Sequence, residues 1–224
     1  MNEKIQVLDL QLNNMSAKEA MKQAVSYIQT EPLNVIEMVT MQSLTKFRSE
    51  ENVSDIFETF DIVLAGDKEV LQVAGIKDER RLKEVDELLF VKMTMRYLHK
   101  NNIRVFLLAE TETDLQKLEE FMKEDYSNIQ VVEAAALETK GESDDMLLNL
   151  INGSESICIL SVLPSPLEEQ LVYRNRTLVN AQLWLGLGNL LDEMKKSKTR
   201  FEKIKRFVMR LLLKKEMTKK GENA

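Results

Sequence analysis

Three side chains stand where an α/β chain usually puts its chemistry. Thr40 closes the apolar run VIEMVT, Asp67 closes DIVLAGD, and Asp192 follows the spaced glycines Gly186 and Gly188 in WLGLGNLLD. A carboxylate at such a position can accept a proton, a hydroxyl can orient a substrate, and paired glycines let the backbone approach a phosphate. Each residue also has a plain structural use. An Asp after a strand caps the next helix, a Thr ends a strand, a lone strand glycine marks a bend, and Asp192 beside Glu193 can precede a basic segment as a cap. Taken alone, Arg81 in KDERRLKEVDE reads as part of a solvated helix face. Other chemistries are missing. The chain has no GxxxxGK[ST] loop and no GxGxxG. Its single histidine, His99, cannot build a histidine-based metal site or a serine–histidine pair and reads as a surface residue. No metal and no cofactor are expected.

The elements that must hold these residues alternate along the chain. Residues 4–12 read as an edge strand, and Ser16 with Glu19 makes a capping box ahead of a stripe of Ala20, Met21, Ala24, Val25 and Ile28. VIEMVT (35–40), the run after Asp61, IRVFLLAE (103–110), IQVVEA (129–134), ICILSVL (157–163) and AQLWLGLG (181–188) read as strands. Helices are expected between them: one carrying Leu44 and Phe47, one marked by Leu88, Leu89, Met95 and Leu98, one capped by Thr113, one opened at Asp144 or Asp145 and closed at Gly153, and one begun at Pro166. Strands separated by helices imply right-handed crossovers and a mostly parallel, Rossmann-like sheet with helices on both faces. In such a sheet ligands bind beyond the carboxyl ends of the strands, where Thr40, Asp67, Ala109-Glu110 and Gly186–Gly188 fall. Cys158, alone in an apolar run, reads as a buried strand residue in a reducing compartment.

The net charge of −6 hides an asymmetry. Residues 195–220 carry twelve Lys and Arg against Glu202 and Glu216, so the rest of the chain is strongly acidic. That excludes a general nucleic-acid binder, whose affinity needs a basic face. The opening MNEKIQVLDLQL carries an early acid and is unlike a signal peptide, and no apolar run is long enough to span a bilayer. We therefore expect one α/β domain over 1–194 and a basic appendage over 195–224. In the appendage Phe201, Ile204, Phe207, Val208, Leu211 and Leu212 make one stripe flanked by Lys203, Lys205, Arg206, Arg210 and Lys214. This C-terminal basic amphipathic helix is expected to meet an anionic membrane surface through Lys203, Arg206, Phe207, Arg210 and Leu211, or else to dock on the domain itself.

Taken in order, the strand ends resemble the WecG/TagA/CpsF glycosyltransferases, and the resemblance spans nearly the whole chain. VLDLQLNNMSAKEAM looks like the family's opening segment. VTMQSL stands where the family has a VTANPE-like run, with Thr40 matching, Gln42 at the Asn position and Leu44 at the Glu position. DIVLAGD stands for DLVLPDG; Arg81 and Asp86 match RxxGxD, whose glycine is Glu84 here. VFLLAETETD resembles VFLLGGxPG. LPSPLEEQLVYRNR resembles LGAPKQExWIxRNR and keeps Pro166, Glu169, Arg174, Asn175 and Arg176. WLGLGNLLD resembles VGVGGAFD and keeps Gly186, Gly188 and Asp192.

The resemblance implies a metal-independent enzyme that adds an N-acetylmannosamine-type sugar from a UDP-sugar donor to a polyprenyl-linked acceptor, peripheral at the inner face of a bacterial membrane. Asp67 would be the base and Thr40 would orient a substrate. Gln42, Arg81, Asp86, Glu169, Gly186, Gly188 and Asp192 would bind substrate. The departures run one way. A gapless reading puts Gly66 at the base position and Asp67 one step later. Ala109-Glu110 replaces a Gly-Gly, and Leu167-Glu168 replaces Lys-Gln. Each makes the rim more acidic or more crowded, against a dianionic donor. The alternative is therefore a member with a decayed site that acts as a membrane-associated binding or regulatory protein.

Overall fold

The computed structural model describes residues 3–47, 52–140 and 144–190. The chain divides into Met1–Asn189 and Leu190–Ala224, and the architecture below is that of the first unit. Asp192 and the tail residues Lys203, Arg206, Phe207, Arg210 and Leu211 lie outside the described residues.

The expected α/β alternation is present. The strands β3 (Asn34–Val39), β4 (Ile62–Ala65), β5 (Arg104–Ala109), β6 (Gln130–Ala136), β7 (Cys158–Ser161) and β8 (Leu183–Gly186) form one sheet in the order β4-β3-β8-β7-β5-β6, with every pairing parallel. Parallel strands are buried on both faces, which is why each of these segments is nearly continuously apolar. The chain leaves β5 toward β6 but leaves β7 toward β8, so its path diverges between neighbouring strands and opens their carboxyl ends to a ligand.

Helices cover both faces. Alternation along β3 sends Val35, Glu37 and Val39 to one side and Ile36 and Met38 to the other. Met38 and Leu64 pack with Ala17 and Ala20 of α1 (Ala17–Tyr27) and Phe90 and Val91 of α6 (Leu89–Lys100). Leu147, Leu148 and Ile151 of α9 (Asp144–Ser154) and Leu171 and Val172 of α10 (Leu167–Asn175) pack on Trp184 of the opposite face. Helix α1 starts with the full capping box: the Glu19 amide donates to Ser16 Oγ, and the Ser16 amide donates to Glu19.

Several expectations needed revision. Residues 4–12 are not an edge strand of the sheet. Leu8 adopts φ +53 and folds the segment into an antiparallel hairpin of β1 (Lys4–Val7) and β2 (Leu10–Asn13). The hairpin still serves the sheet edge, because Asn13 Oδ1 accepts the Val63 amide of β4 at 2.8 Å. Gly153 lies inside α9, and Glu155 takes the left-handed turn at φ +50 instead. Thr111 rather than Thr113 caps α7 (Glu112–Asp125). Pro166 is the residue before α10 rather than its first turn. His99 is half-buried and accepts the Asn128 amide on Nδ1 at 3.2 Å, so it ties a loop rather than facing bulk water. Cys158 is fully buried, and that burial pushes its thiol up, as its apolar setting implied.

Helix α10 runs from the carboxyl rim to the amino rim of the sheet, and its end is clamped there. Arg176 donates to the Leu33 carbonyl at 3.2 Å and to Asp61 Oδ2 at 3.1 Å. The same Asp61 oxygen accepts the amide of fully buried Val35 at 2.7 Å. Asn175 and Arg174 both bond to Asp144, which fixes α10 to α9. Replacing Asp61 by Ala would strand the Val35 amide and the Arg176 head together. We expect a loss of roughly 1–3 kcal/mol in folding stability, measured by denaturant titration, with Asp61→Asn retaining part of it.

Candidate functional site

Three loops, those after β3, β4 and β8, are locked to each other at the carboxyl rim by polar side chains. Thr40 follows β3 and is nearly buried. Its Oγ1 accepts the Ser43 amide at 3.2 Å, while Ser43 Oγ accepts the Thr40 amide at 2.8 Å. This reciprocal pair closes the start of α2 (Met41–Phe47) in the manner of a capping box, with Ser43 in the place of the usual Glu. Thr40 Oγ1 also reaches Asn189 Oδ1 at 3.5 Å, and the Asn189 amide group donates to Gln42 Oε1 at 2.6 Å. Thr40 and Gln42 are thus brought together, with Asn189 bridging them from the loop after β8. Ser43 and Asn189 could not be singled out earlier: a Ser three residues after a Thr, or an Asn after a glycine, carries no distinctive spacing.

Asp67 follows β4 and joins the same rim. Its Oδ1 accepts the Val70 amide at 2.9 Å and caps α4 (Lys68–Val73). Its Oδ2 accepts the Met41 amide at 2.7 Å, the first residue of α2. One carboxylate therefore satisfies orphan amides at two helix starts, where negative charge is favoured. The capping use of Asp67 is present in full, and it directs both oxygens toward main chain.

The remaining candidates are spread around this centre. Arg81 belongs to α5 (Glu79–Asp86), with only 16% of its side chain exposed, and is not a solvated residue. Its Nη1 donates to Glu84 Oε2 at 3.0 Å, and that oxygen also accepts the Ala17 amide of α1 at 3.0 Å. Glu84 stands at the RxxGxD glycine position, and it neutralises the arginine. Asp86 is exposed and pairs with Lys68 at 2.9 Å. Glu110 is exposed after β5.

Gly186 lies opposite Glu37 and Ser161 in the sheet. A Cβ at 186 would run into the Glu37 carboxylate and stand 2.9 Å from Glu168 Oε1, so this glycine makes room for carboxylates. Gly188 adopts φ +49, a left-handed turn that favours glycine. Glu169 is buried, and Ser165 Oγ donates to its Oε1 at 2.7 Å. Burial raises the Glu169 carboxyl above its ordinary range, opposed by the hydrogen bonds from Ser165 and its own amide and by the Lys46 charge. Glu37 was missed by sequence reading, although a lone acid within VIEMVT was visible as a break in an apolar strand. Among the described residues no cluster of three or more His, Cys, Asp or Glu is arranged to hold a metal ion.

An all-parallel sheet with polar loops converging at its carboxyl rim defines an α/β protein of the Rossmann-like class. The family model for glycosyl transferases of the WecG/TagA/CpsF family matches residues 5–206. The chain belongs to that family. No curated protein matches it significantly.

The double cap gives a direct expectation. Asp67→Ala leaves the Met41 and Val70 amides without an acceptor and should lower folding stability by roughly 1–3 kcal/mol in thermal or denaturant unfolding. Asp67→Asn retains one acceptor oxygen and should lose less.

Proposed function

We propose that this protein transfers an N-acetylmannosamine-type sugar from a nucleotide donor to a polyprenyl-linked acceptor, at the inner face of a bacterial membrane, in surface-polymer synthesis. Membership of the family supports a glycosyltransferase role, a nucleotide-sugar donor and a lipid-linked acceptor in general terms. The observation that carries the finer reading is the convergence of Thr40, Gln42, Asn189 and Asp67 at one end of the sheet. In this reading the acceptor hydroxyl attacks the sugar carbon, the nucleotide diphosphate leaves, and Asp67 takes the hydroxyl proton. Thr40 and Gln42 orient the sugar, while Gly188 lets the main chain approach the diphosphate. The basic C-terminal segment brings the protein to anionic lipid. No helix among the described residues is long and apolar enough to cross a membrane, which is compatible with a peripheral attachment.

A second reading has its own observation. Asp67 holds two helix starts, and Glu84 neutralises Arg81. Both groups are thereby engaged by the scaffold, which suits a member that has kept the fold and a binding role without turnover.

Calorimetry with UDP and UDP-sugars separates the two. The transferase reading expects saturable binding, together with a loss of transfer in Asp67→Asn measured under conditions where the variant is still fully folded; no heat at millimolar ligand would sink it. Transfer that survives Asp67→Asn intact would remove Asp67 as the base. For the tail, full-length protein should co-sediment with vesicles containing anionic lipid in a salt-sensitive way, whereas a 1–194 truncation should not. Equal and salt-insensitive partitioning would reject the electrostatic attachment.

A further inference from the structure

Below the rim, on the face covered by α10, three carboxyl groups are buried together. Glu37, Glu168 and Glu169 are 2%, 1% and 2% exposed. Glu37 stands in β3 opposite Gly186, and Glu168 comes down from α10 to the same point. The missing Cβ of Gly186 leaves the space into which both carboxylates reach. Glu168 Oε1 accepts Trp184 Nε1 at 2.9 Å, and the Ser161 hydroxyl also bonds to Glu168. Glu37 Oε2 and Glu169 Oε2 are buried with no hydrogen-bond partner.

Four elements bring polar or charged groups to this cluster. From α10 come Glu168 and Glu169, from β7 Ser161, from β8 Trp184, and from α2 Lys46, whose charge acts on Glu169. Among the described residues no cation is paired with Glu37 or Glu168, and no such cluster is arranged for a metal. Leaving an isolated buried carboxylate ionised is costly, and two that share one small space do not both ionise.

We propose that Glu37, Glu168 and Glu169 form a proton-binding site in which a proton held between Glu37 and Glu168 joins α10 to β3 and β8 and is released as pH rises. The proton supplies the donor that Glu37 Oε2 otherwise lacks. It also removes the repulsion that would push α10 off the sheet and disturb the Val162–Pro166 segment leading into it. Burial, and then the charge of Glu169, push Glu168 up to about 8. Burial, followed by Glu168 and Glu169, likewise raises Glu37 well above its ordinary value of 4.5. The direction of the pH effect follows. A carboxyl raised in the folded state stabilises the fold at acid pH, and that contribution is lost as pH climbs from the ordinary carboxylate range toward about 8.

The test needs no substrate, so it stands apart from the transferase reading. Unfolding of the full chain is followed from about pH 5 to about 8.5 for the wild type, Glu37→Gln and Glu168→Gln. Each retained proton lowers the wild-type folding constant about tenfold per pH unit across the window. Glu168→Gln keeps an acceptor for Trp184 and offers an amide donor toward Glu37, and both variants should flatten the profile by about one proton. Infrared spectra of the wild type at pH 7 should contain a protonated carboxylic acid carbonyl band that Glu168→Gln removes. Parallel pH profiles in all three proteins, or no such band in the wild type, would overturn the proposal. Should a variant not fold, the wild-type band and its loss on raising the pH decide alone.

Discussion

Every helix that follows a strand in a parallel sheet begins at the same rim and presents unsatisfied amides there, and one carboxylate, Asp67, answers two of them. It accepts the first amide of α2 and the third of α4. A neutral hydroxyl meets a single amide, as Thr40 Oγ1 does for the Ser43 amide of α2. With one oxygen for each helix start, the carboxylate ties both together and so holds the end of β3 against the end of β4. The positions of Thr40, Gln42 and Asn189 follow from that tie. The carboxylate proposed as the base is also the one that assembles the rim.

The same rim carries more negative charge than the family pattern suggests. Glu84 takes up the Arg81 guanidinium and anchors α1 at once. Below the surface, Glu168 stands where the pattern has a glutamine. A glutamine could donate to Glu37 and accept from Trp184 together; a glutamate can do both only when protonated. Gly186 belongs to this balance, because a side chain there would displace the carboxyls. The substitutions are therefore connected physically. The acid on β3, the acid on α10 and the glycine on β8 occupy one volume and must be accommodated together.

The sheet was legible because parallel strands are apolar on both faces and stand out as uninterrupted runs; β5 and β7 are the clearest cases. Helix α1 announced itself through Ser16 and Glu19, and that cap is present. The hairpin was not legible, since its turn depends on Leu8 adopting a left-handed conformation that no glycine or asparagine marks. The short helices α4 and α5 were signalled only by Asp67 as a cap and by the charged run around Arg81, because six or eight residues give little room for a periodic stripe. At the site, single residues ending strands were readable, whereas their partners were not. Asn189 and Glu37 meet Gln42 and Glu168 only through the folding of distant segments, and Ser43 meets Thr40 locally in a pattern with no distinctive spacing.

The residues that match the family pattern divide by their end of the sheet, and the division separates those with scaffold contacts from those proposed for chemistry. Arg174 and Asn175 fix α10 to α9, and Arg176 holds Leu33 and Asp61 at the amino rim, far along α10 from its start. These contacts hold the fold of this chain whether or not it turns over a substrate. Thr40 and Gly188 stand at the carboxyl rim, where a donor and an acceptor could meet. Asp67 belongs to both groups, for it is at once a cap for two helices and a carboxylate at the rim. A change at Asp67 that leaves the helix starts intact therefore bears on chemistry alone, whereas changes at the amino rim report on the fold.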